Sequence, residues 1–382
     1  MQGTADTVLG VRVVVAPDSF GGTLSATAAA EAIAQGWLRG ASGAQVRLLP
    51  LADGGTGFAA VLHAALGGTW HELMVSGPFG DAVPARWLRV GDTAYVESAA
   101  ACGLHLVSRD RRDAAAARHA TSRGVGELIR AARADGVAEI VVGLGGSATT
   151  DGGAGMLAAL GAIPVDGDGA PLVDGGAALV RCARLDGDPA LTGVRLVAAV
   201  DVDNPLLGRA GAAVVFGPQK GADEVTVVEL DTALAQFAEV LAAATGRDVR
   251  DEPGAGAAGG LGAALLACGA RRVSGAGLVR ELVGLDAELD RAALVVTGEG
   301  SFDWQSLRGK LVTAVAGAAA ERGIPCLVLA GQVSVGRREA ATAGVAAVYS
   351  VAEDAGGVAA SLADPAGTLA ALAERVASRW SC

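Results

Sequence analysis

Lysine is nearly absent from this chain. Of 30 basic residues among 382, only Lys220 and Lys310 are lysines, and 41 acidic residues set the net charge at −11. With no basic excess to neutralise phosphates, a nonspecific nucleic-acid or anionic-membrane binder is excluded. Aromatic residues make up 3% of the chain. Histidine occurs at His63, His71, His105 and His119 alone, none in a glycine-rich segment. A histidine-dependent triad or a zinc centre therefore has little to be built from. The five cysteines (Cys102, Cys182, Cys268, Cys326, Cys382) are odd in number and far apart, which reads as reduced thiols rather than a disulfide framework or metal cluster. The longest uncharged stretch, Pro253 to Ala270, is built from Gly and Ala and reads as a loop entering a helix, not as a membrane span. Residues 1–10 carry Asp6 and no basic residue, unlike a secretory signal, so a cytoplasmic protein is expected. The sequences G-x-S-x-G, H-E-x-x-H and G-x-x-x-x-G-K-[ST] and the protein-kinase signature set are missing.

What the chain has instead is glycine, 57 residues of it, clustered between apolar runs. Such clusters mark turns and ligand-wrapping loops. Val11 to Ala16 reads as a strand, followed by a polar loop and a helix over Ala26 to Arg39. Similar strands are expected at Glu139 to Leu144, Leu294 to Thr297 and Cys326 to Leu329, each ending in a glycine-bearing loop. The pattern predicts an α/β protein with parallel strands covered on both faces and sites at the strands' carboxyl ends. Met74 to Val96 reads as short strands with turns at Ser76-Gly77-Pro78 and Gly91-Asp92. A Rossmann-like parallel-sheet domain formed by residues 1–75 and 290–382, with a second α/β domain over 76–289 inserted in it and the active site in the cleft between them, is the expected organisation.

Three loops carry the chemistry. Gly143 to Gly153 (GLGGSATTDGG) follows a strand and precedes a helix, where backbone N–H groups form an anion cradle without a basic residue. The same residues also allow a plain turn capped by Thr150 or Asp151. Gly143-x-Gly145-x-x-Ala148, with Asp166 and Asp168 downstream, formally matches a dinucleotide fingerprint as well. The second loop, Pro253 to Gly262, permits either close approach of a ligand or tight internal packing. The third, Thr297 to Lys310, gathers Glu299, Asp303, Gln305, Arg308 and Lys310. A rare lysine beside a glycine there suits a phosphate site. Asp18, Ser19, Asp53, Glu97, Asp201 and Asp203 stand at strand ends, where several carboxylates together fit Mg²⁺ and hydroxyl handling.

With these segments in view, the sequence resembles the bacterial glycerate kinase family. The matching stretches are Ala16 to Phe20, Ala52 to Gly55, Thr121 to Ile129, Gly145 to Met156, Asp201 to Leu206, Phe216 to Ala222, Pro253 to Gly262 and Thr297 to Lys310, in that order across nearly the whole chain. The resemblance implies a two-domain α/β enzyme that moves the γ-phosphoryl of ATP to a hydroxyl of D-glycerate with Mg²⁺, favouring 2-phosphoglycerate. Its small-molecule partners would be glycerate and ATP, with no nucleic acid or membrane, in a monomer or homodimer. It places Gly145, Gly146, Ser147, Gly254, Gly256, Gly259 and Gly260 around the ATP phosphates and Asp201 and Glu299 on the metal. Lys310 would stabilise the transferring group and Asp303 would orient or deprotonate the acceptor. Asp18, Ser19, Asp53, Gln305 and Arg308 would hold glycerate.

The chain departs from the family pattern near the acceptor residues. Gly21 stands where lysine is common, Thr56 where glutamate is, Ser301 where arginine is and Arg308 where histidine is. A kinase of another small hydroxy acid, a nicotinamide-dependent oxidoreductase and a non-catalytic nucleotide-binding module are the alternative readings.

Overall fold

The computed structural model describes residues 11–304, 306–307 and 311–380. The chain divides into two units, Met1–Ala52 with Val279–Cys382, and Asp53–Leu278. The boundaries expected from sequence lay at 75/76 and 289/290. Helix Phe58–Leu66 and strand Thr69–Ser76 fall instead in the second unit, because Thr69–Ser76 pairs along its whole length with Ala82–Val90.

The first unit is built on a five-stranded sheet in the order Ala347–Ser350, Cys326–Val333, Leu294–Phe302, Arg12–Val15, Gln45–Leu48, with every pairing parallel. The central strands are continuous apolar runs, and Val13, Val14, Val15, Val295 and Val296 are all buried, as strands covered on both faces require. Helix Ala26–Gly40 begins at Ser25, whose hydroxyl accepts from the N–H of Ala28 and satisfies one open helix donor. It buries Ile33 and Trp37 in the same apolar cluster as Leu369, Leu372 and Val376 of helix Pro365–Trp380.

Two strands of this sheet outrun the sequence reading. Leu294–Phe302 continues through Gly298 and Gly300, and Cys326–Val333 continues through Gly331, where both were expected to stop before their glycines. The segment after Arg12–Val15 lies directly over the extension. Asp18 donates its N–H to the Gly298 carbonyl at 2.8 Å, and a Cβ on Gly300 would sit 2.8 Å from the Gly21 nitrogen. Glycine inside a strand marks this kind of close backbone approach.

The second unit has a six-stranded sheet in the order Arg271–Val273, Arg195–Ala199, Glu139–Gly143, Thr93–Glu97, Ala82–Val90, Thr69–Ser76. The first four run parallel, and the last two are added antiparallel through connections at 77–81, where a turn at Ser76-Gly77-Pro78 was expected, and at the expected turn 91–92. Leu128 and Ile129 of helix Arg123–Ala134, Phe237 of helix Glu224–Thr245 and Leu265 of helix Leu261–Ala267 share its core. A small two-stranded antiparallel sheet pairs Ile163–Val165 with Arg184–Asp186. Among the described residues no helix is long and apolar enough to cross a membrane.

Candidate active site

Strand Glu139–Gly143 is parallel to its neighbours, and the chain leaves its carboxyl end as a loop that becomes helix only at Ala154–Ala159. A dinucleotide fingerprint needs the helix to begin inside the glycine pattern, so this geometry departs from it. Asp166 departs as well: its carboxylate accepts from the N–H groups of Asp168 and Ala170 inside a local turn.

In the loop, Leu144 and Ala148 donate to the carbonyls of Ala199 and Cys102, and Leu104 donates to that of Gly146. These bonds fix both flanks. Between them, the N–H groups of Gly145, Gly146 and Ser147 have no hydrogen-bond acceptor among the described residues, while Gly146 is open to solvent. Three successive free amides at a strand's carboxyl end form an anion nest.

A buried acid and a buried base hold the loop. Asp151, fully buried, accepts from the N–H and hydroxyl of Ser122, each at 2.8 Å, and from the N–H groups of Gly153 and Gly155. Burial pushes its carboxyl up from the usual range, and the donors from Ser122, Gly153 and Gly155 pull it back. The N-cap position of helix Ala154–Ala159 is Gly153 and has no side-chain cap, so Asp151 braces the loop from inside rather than capping the helix as the sequence allowed. On the other side Lys220, 4% exposed, donates to the Thr149 carbonyl at 2.5 Å and to the Ser147 hydroxyl at 3.3 Å. The sequence reading gave Lys220 no role. Its signals were its rarity and its place in the matching stretch Phe216 to Ala222.

The loop at 254–260 lies against this one. Gly152 donates to the Gly259 carbonyl at 3.0 Å, and a Cβ on Gly259 would fall 1.8 Å from the Thr149 oxygen. Likewise a Cβ on Gly260 would fall 2.7 Å from the Gly152 Cα, and one on Gly256 would fall 2.3 Å from the Pro205 oxygen. Gly254, Gly256, Gly259 and Gly260 are all buried. The missing side chains of Gly256, Gly259 and Gly260 admit the protein's own backbone and that of Gly254 the side chains of Arg272 and Val200, which is the tight-packing alternative left open by the sequence.

Two carboxylates border the nest. The Asp53 carboxylate accepts from the N–H of Gly55, whose Cα would lie 2.6 Å from a Cβ on Gly145. Asp201, just past strand Arg195–Ala199, accepts from the Ser274 hydroxyl at 2.6 Å and the Ala276 N–H at 2.7 Å. Solvent reaches Asp201 on one side. The protein packed around it still pushes its carboxyl up; Ser274 and Ala276 lower it and the nearby charge of Asp53 raises it again. Glu97, at the end of strand Thr93–Glu97, accepts from the Gly57 N–H at 3.0 Å and so anchors the turn that follows Asp53.

The structure thus groups Asp53 with Asp201 and the nest in the second unit. Asp18, Ser19, Glu299 and Asp303 belong to the first. There Ser19 and Glu299 line one pocket of about 360 Å³ at the carboxyl ends of the parallel strands, walled by Phe20, Leu24, Ser301 and Gln332. The Asp18 carboxylate accepts from the Ser19 N–H at 2.6 Å. Asp303 begins the turn after Leu294–Phe302, and its carboxylate accepts from the Ser306 N–H at 3.4 Å. Gln305, Arg308 and Lys310 lie outside the described residues. Among the described residues no group of three or more His, Cys, Asp or Glu is arranged to hold a metal ion. Cys102, Cys182 and Cys326 are buried free thiols, Cys268 is a partly buried one, and Cys382 is outside the described residues.

The chain is similar to known proteins in sequence and in fold. Residues 13–381 match the glycerate kinase family. The chain is 43% identical over 347 residues to the glycerate 2-kinase of Escherichia coli K12, covering 89% of this chain and 90% of that protein. It is 48% identical over 372 residues to an uncharacterized protein of Mycobacterium bovis, covering 97% and 91%. The crystal structure of a protein assigned as glycerate kinase 2 in Salmonella typhimurium LT2 superposes with a TM-score of 0.78 at 40% identity, over 97% of this chain and 98% of that one. A family match of this extent, carried by an α/β architecture and by relatives above 40% identity along nearly the full chain, has one meaning: the chain belongs to the glycerate kinase family.

Proposed function

We propose that this protein is a kinase that transfers the γ-phosphoryl of ATP to a hydroxyl of D-glycerate, with 2-phosphoglycerate the favoured product. The observation that carries the reading is the nest at Gly145, Gly146 and Ser147 with two carboxylates, Asp53 and Asp201, beside it. Phosphoryl transfer asks a protein mainly for positioning and charge compensation, and free amides beside acidic groups answer both demands.

The amides of Gly145 to Ser147 receive phosphate oxygens, and Gly254 to Gly260 back the loop so that it does not collapse away from them. Asp201 and Asp53 offer hard oxygen donors, a set that suits Mg²⁺, which takes one or two carboxylates and completes its shell with phosphate and water. When bound, that ion neutralises charge on the phosphate oxygens. In the first unit, Asp18, Ser19 and Glu299 receive the hydroxyls of the acceptor, and Asp303 takes the proton of the attacking hydroxyl as its oxygen bonds to the γ-phosphorus and ADP departs. Arg308 and Gln305 are assigned to the glycerate carboxylate and Lys310 to the transferring group on the family resemblance alone.

A coupled ADP-release assay with ATP, Mg²⁺ and D-glycerate, with L-glycerate, glycerol and short hydroxy acids alongside and the product read by phosphorus NMR, tests the reading. Turnover on D-glycerate with phosphate on the 2-hydroxyl is the expected result. Activity confined to another acid would replace the acceptor, and no ADP release with any acceptor would remove the kinase reading.

A further inference from the structure

Lys220 presents a physical problem. It ends the short turn Pro218–Lys220, and its side chain runs into the interior, where it meets the Thr149 carbonyl and the Ser147 hydroxyl. No carboxylate hydrogen-bonds it among the described residues. The titratable groups that face it are Cys102, at the end of helix Ala99–Cys102, and Asp151 in the loop. Burial pushes the Cys102 thiol up to about 12, so it stays neutral and offers no counter-charge. Asp151 is already committed to Ser122, Gly153 and Gly155. Bonds to one carbonyl and one hydroxyl could be supplied by a neutral amide, and an ammonium taken out of water without a directly paired anion is expensive to keep. Two of its three N–H donors have protein acceptors. The same loop carries the amides of Gly145, Gly146 and Ser147, which have no acceptor among the described residues and can receive negative charge.

We propose that Lys220 is a positioning residue for the nucleotide phosphates: its ammonium, pinned behind the loop by Thr149 and Ser147, holds the amides of Gly145 to Ser147 toward the phosphates and supplies the buried positive charge that compensates them. This rests on the reading that the loop receives ATP phosphates, and deepens it. The charge of an anion docked on the loop offsets the desolvation of the ammonium, so Lys220 and the phosphates stabilise each other through one layer of backbone. Burial has already brought Lys220 down to about 8, with the charge of Asp151 pulling the other way, so its charge is in play near neutral pH.

Two pH trends of opposite sign follow. A lysine that titrates near 8 in the folded chain and near its ordinary 10.5 when unfolded leaves the unfolded state binding more protons between those values, so stability rises with pH across that window. Nucleotide affinity falls over the same range, because the phosphates lose the charge behind the loop.

The test is calorimetric titration of the full chain with Mg·ADP, and separately with inorganic triphosphate, at pH 7, 8 and 9 in buffers of different ionisation enthalpy. The wild type should take up a fraction of a proton on binding at pH 8 to 9 and weaken by about tenfold from pH 7 to 9. Lys220→Met should bind about tenfold more weakly at pH 7, with no proton uptake and no pH trend, and Lys220→Arg should restore affinity without the pH trend. Equal affinity and equal uptake in wild type and Lys220→Met would overturn the proposal and leave the kinase reading standing. A wild type that binds neither probe would remove the phosphate reading itself. If Lys220→Met does not fold, wild-type proton uptake decides: uptake supports the proposal and its absence overturns it.

Discussion

The two units use glycine and carboxylate in different ways. In the first, glycines sit inside a strand that forms part of the site: Gly298 and Gly300 of Leu294–Phe302 lie under the segment Asp18 to Gly21, with Glu299 between them on a strand paired to Cys326–Val333. In the second, they sit in loops, and two loops press backbone on backbone where Gly259 meets Thr149. A strand shares its amides with its neighbours and has few left for a ligand. A loop pinned only at its flanks keeps its amides free, which is why the anion nest is found in the second unit and a side-chain-lined pocket in the first.

The largest expected effect tests the second unit's carboxylates. Asp201→Asn should lower kcat about a thousandfold with little change in the unfolding midpoint. A loss under tenfold would take Asp201 out of the chemistry and leave Asp53 as the nest's acidic neighbour. Next, Gly259→Ala should destabilise the protein by about 3 kcal/mol in denaturant titration, since the new methyl meets the Thr149 oxygen and the residue holds a φ of +71°. It should also weaken Mg·ADP binding. Wild-type stability in this variant would mean that the loop contact is soft and that Gly259 is not what holds the nest.

Glu299→Gln addresses the first unit, with an expected rise of about tenfold in KM for the acceptor and an unchanged Kd for Mg·ADP. A loss of nucleotide affinity instead would move Glu299 to the phosphate side and blur the division of labour between the units. The smallest effect is Ser25→Ala, which removes the cap of helix Ala26–Gly40 and should cost about 1 kcal/mol of stability with kcat and KM unaltered. Any kinetic change there would show that the helix start reports on the acceptor pocket.

Much of the architecture was legible in the chain. The apolar runs at Arg12–Val15, Glu139–Gly143, Leu294–Phe302 and Cys326–Val333 are strands, and Ala26–Gly40 is a helix, because buried parallel strands and amphipathic helices leave strong periodic marks. The two strand extensions were not legible: glycine weakens a strand locally, and only the segment Asp18 to Gly21 lying over Gly300 makes it fit. The unit boundary at Asp53 was hidden as well, because the full-length pairing of Thr69–Ser76 with Ala82–Val90 is a non-local fact.

Taken by itself, the sequence determined the fold class, the glycine loops at 143–153 and 253–262 and the family resemblance. Each of these is written in local pattern and in ordered motifs. Tertiary structure alone decided that Asp53 comes close to Asp201 within the second unit and that Gly254 to Gly260 back the first loop. It alone decided that Lys220 is buried behind Ser147 and Thr149. The reason is physical: a residue's type sets which bonds it can make, but burial, neighbours and charge come from segments far apart in the chain. For an ammonium or a carboxylate those three decide whether it is a surface charge or part of a site.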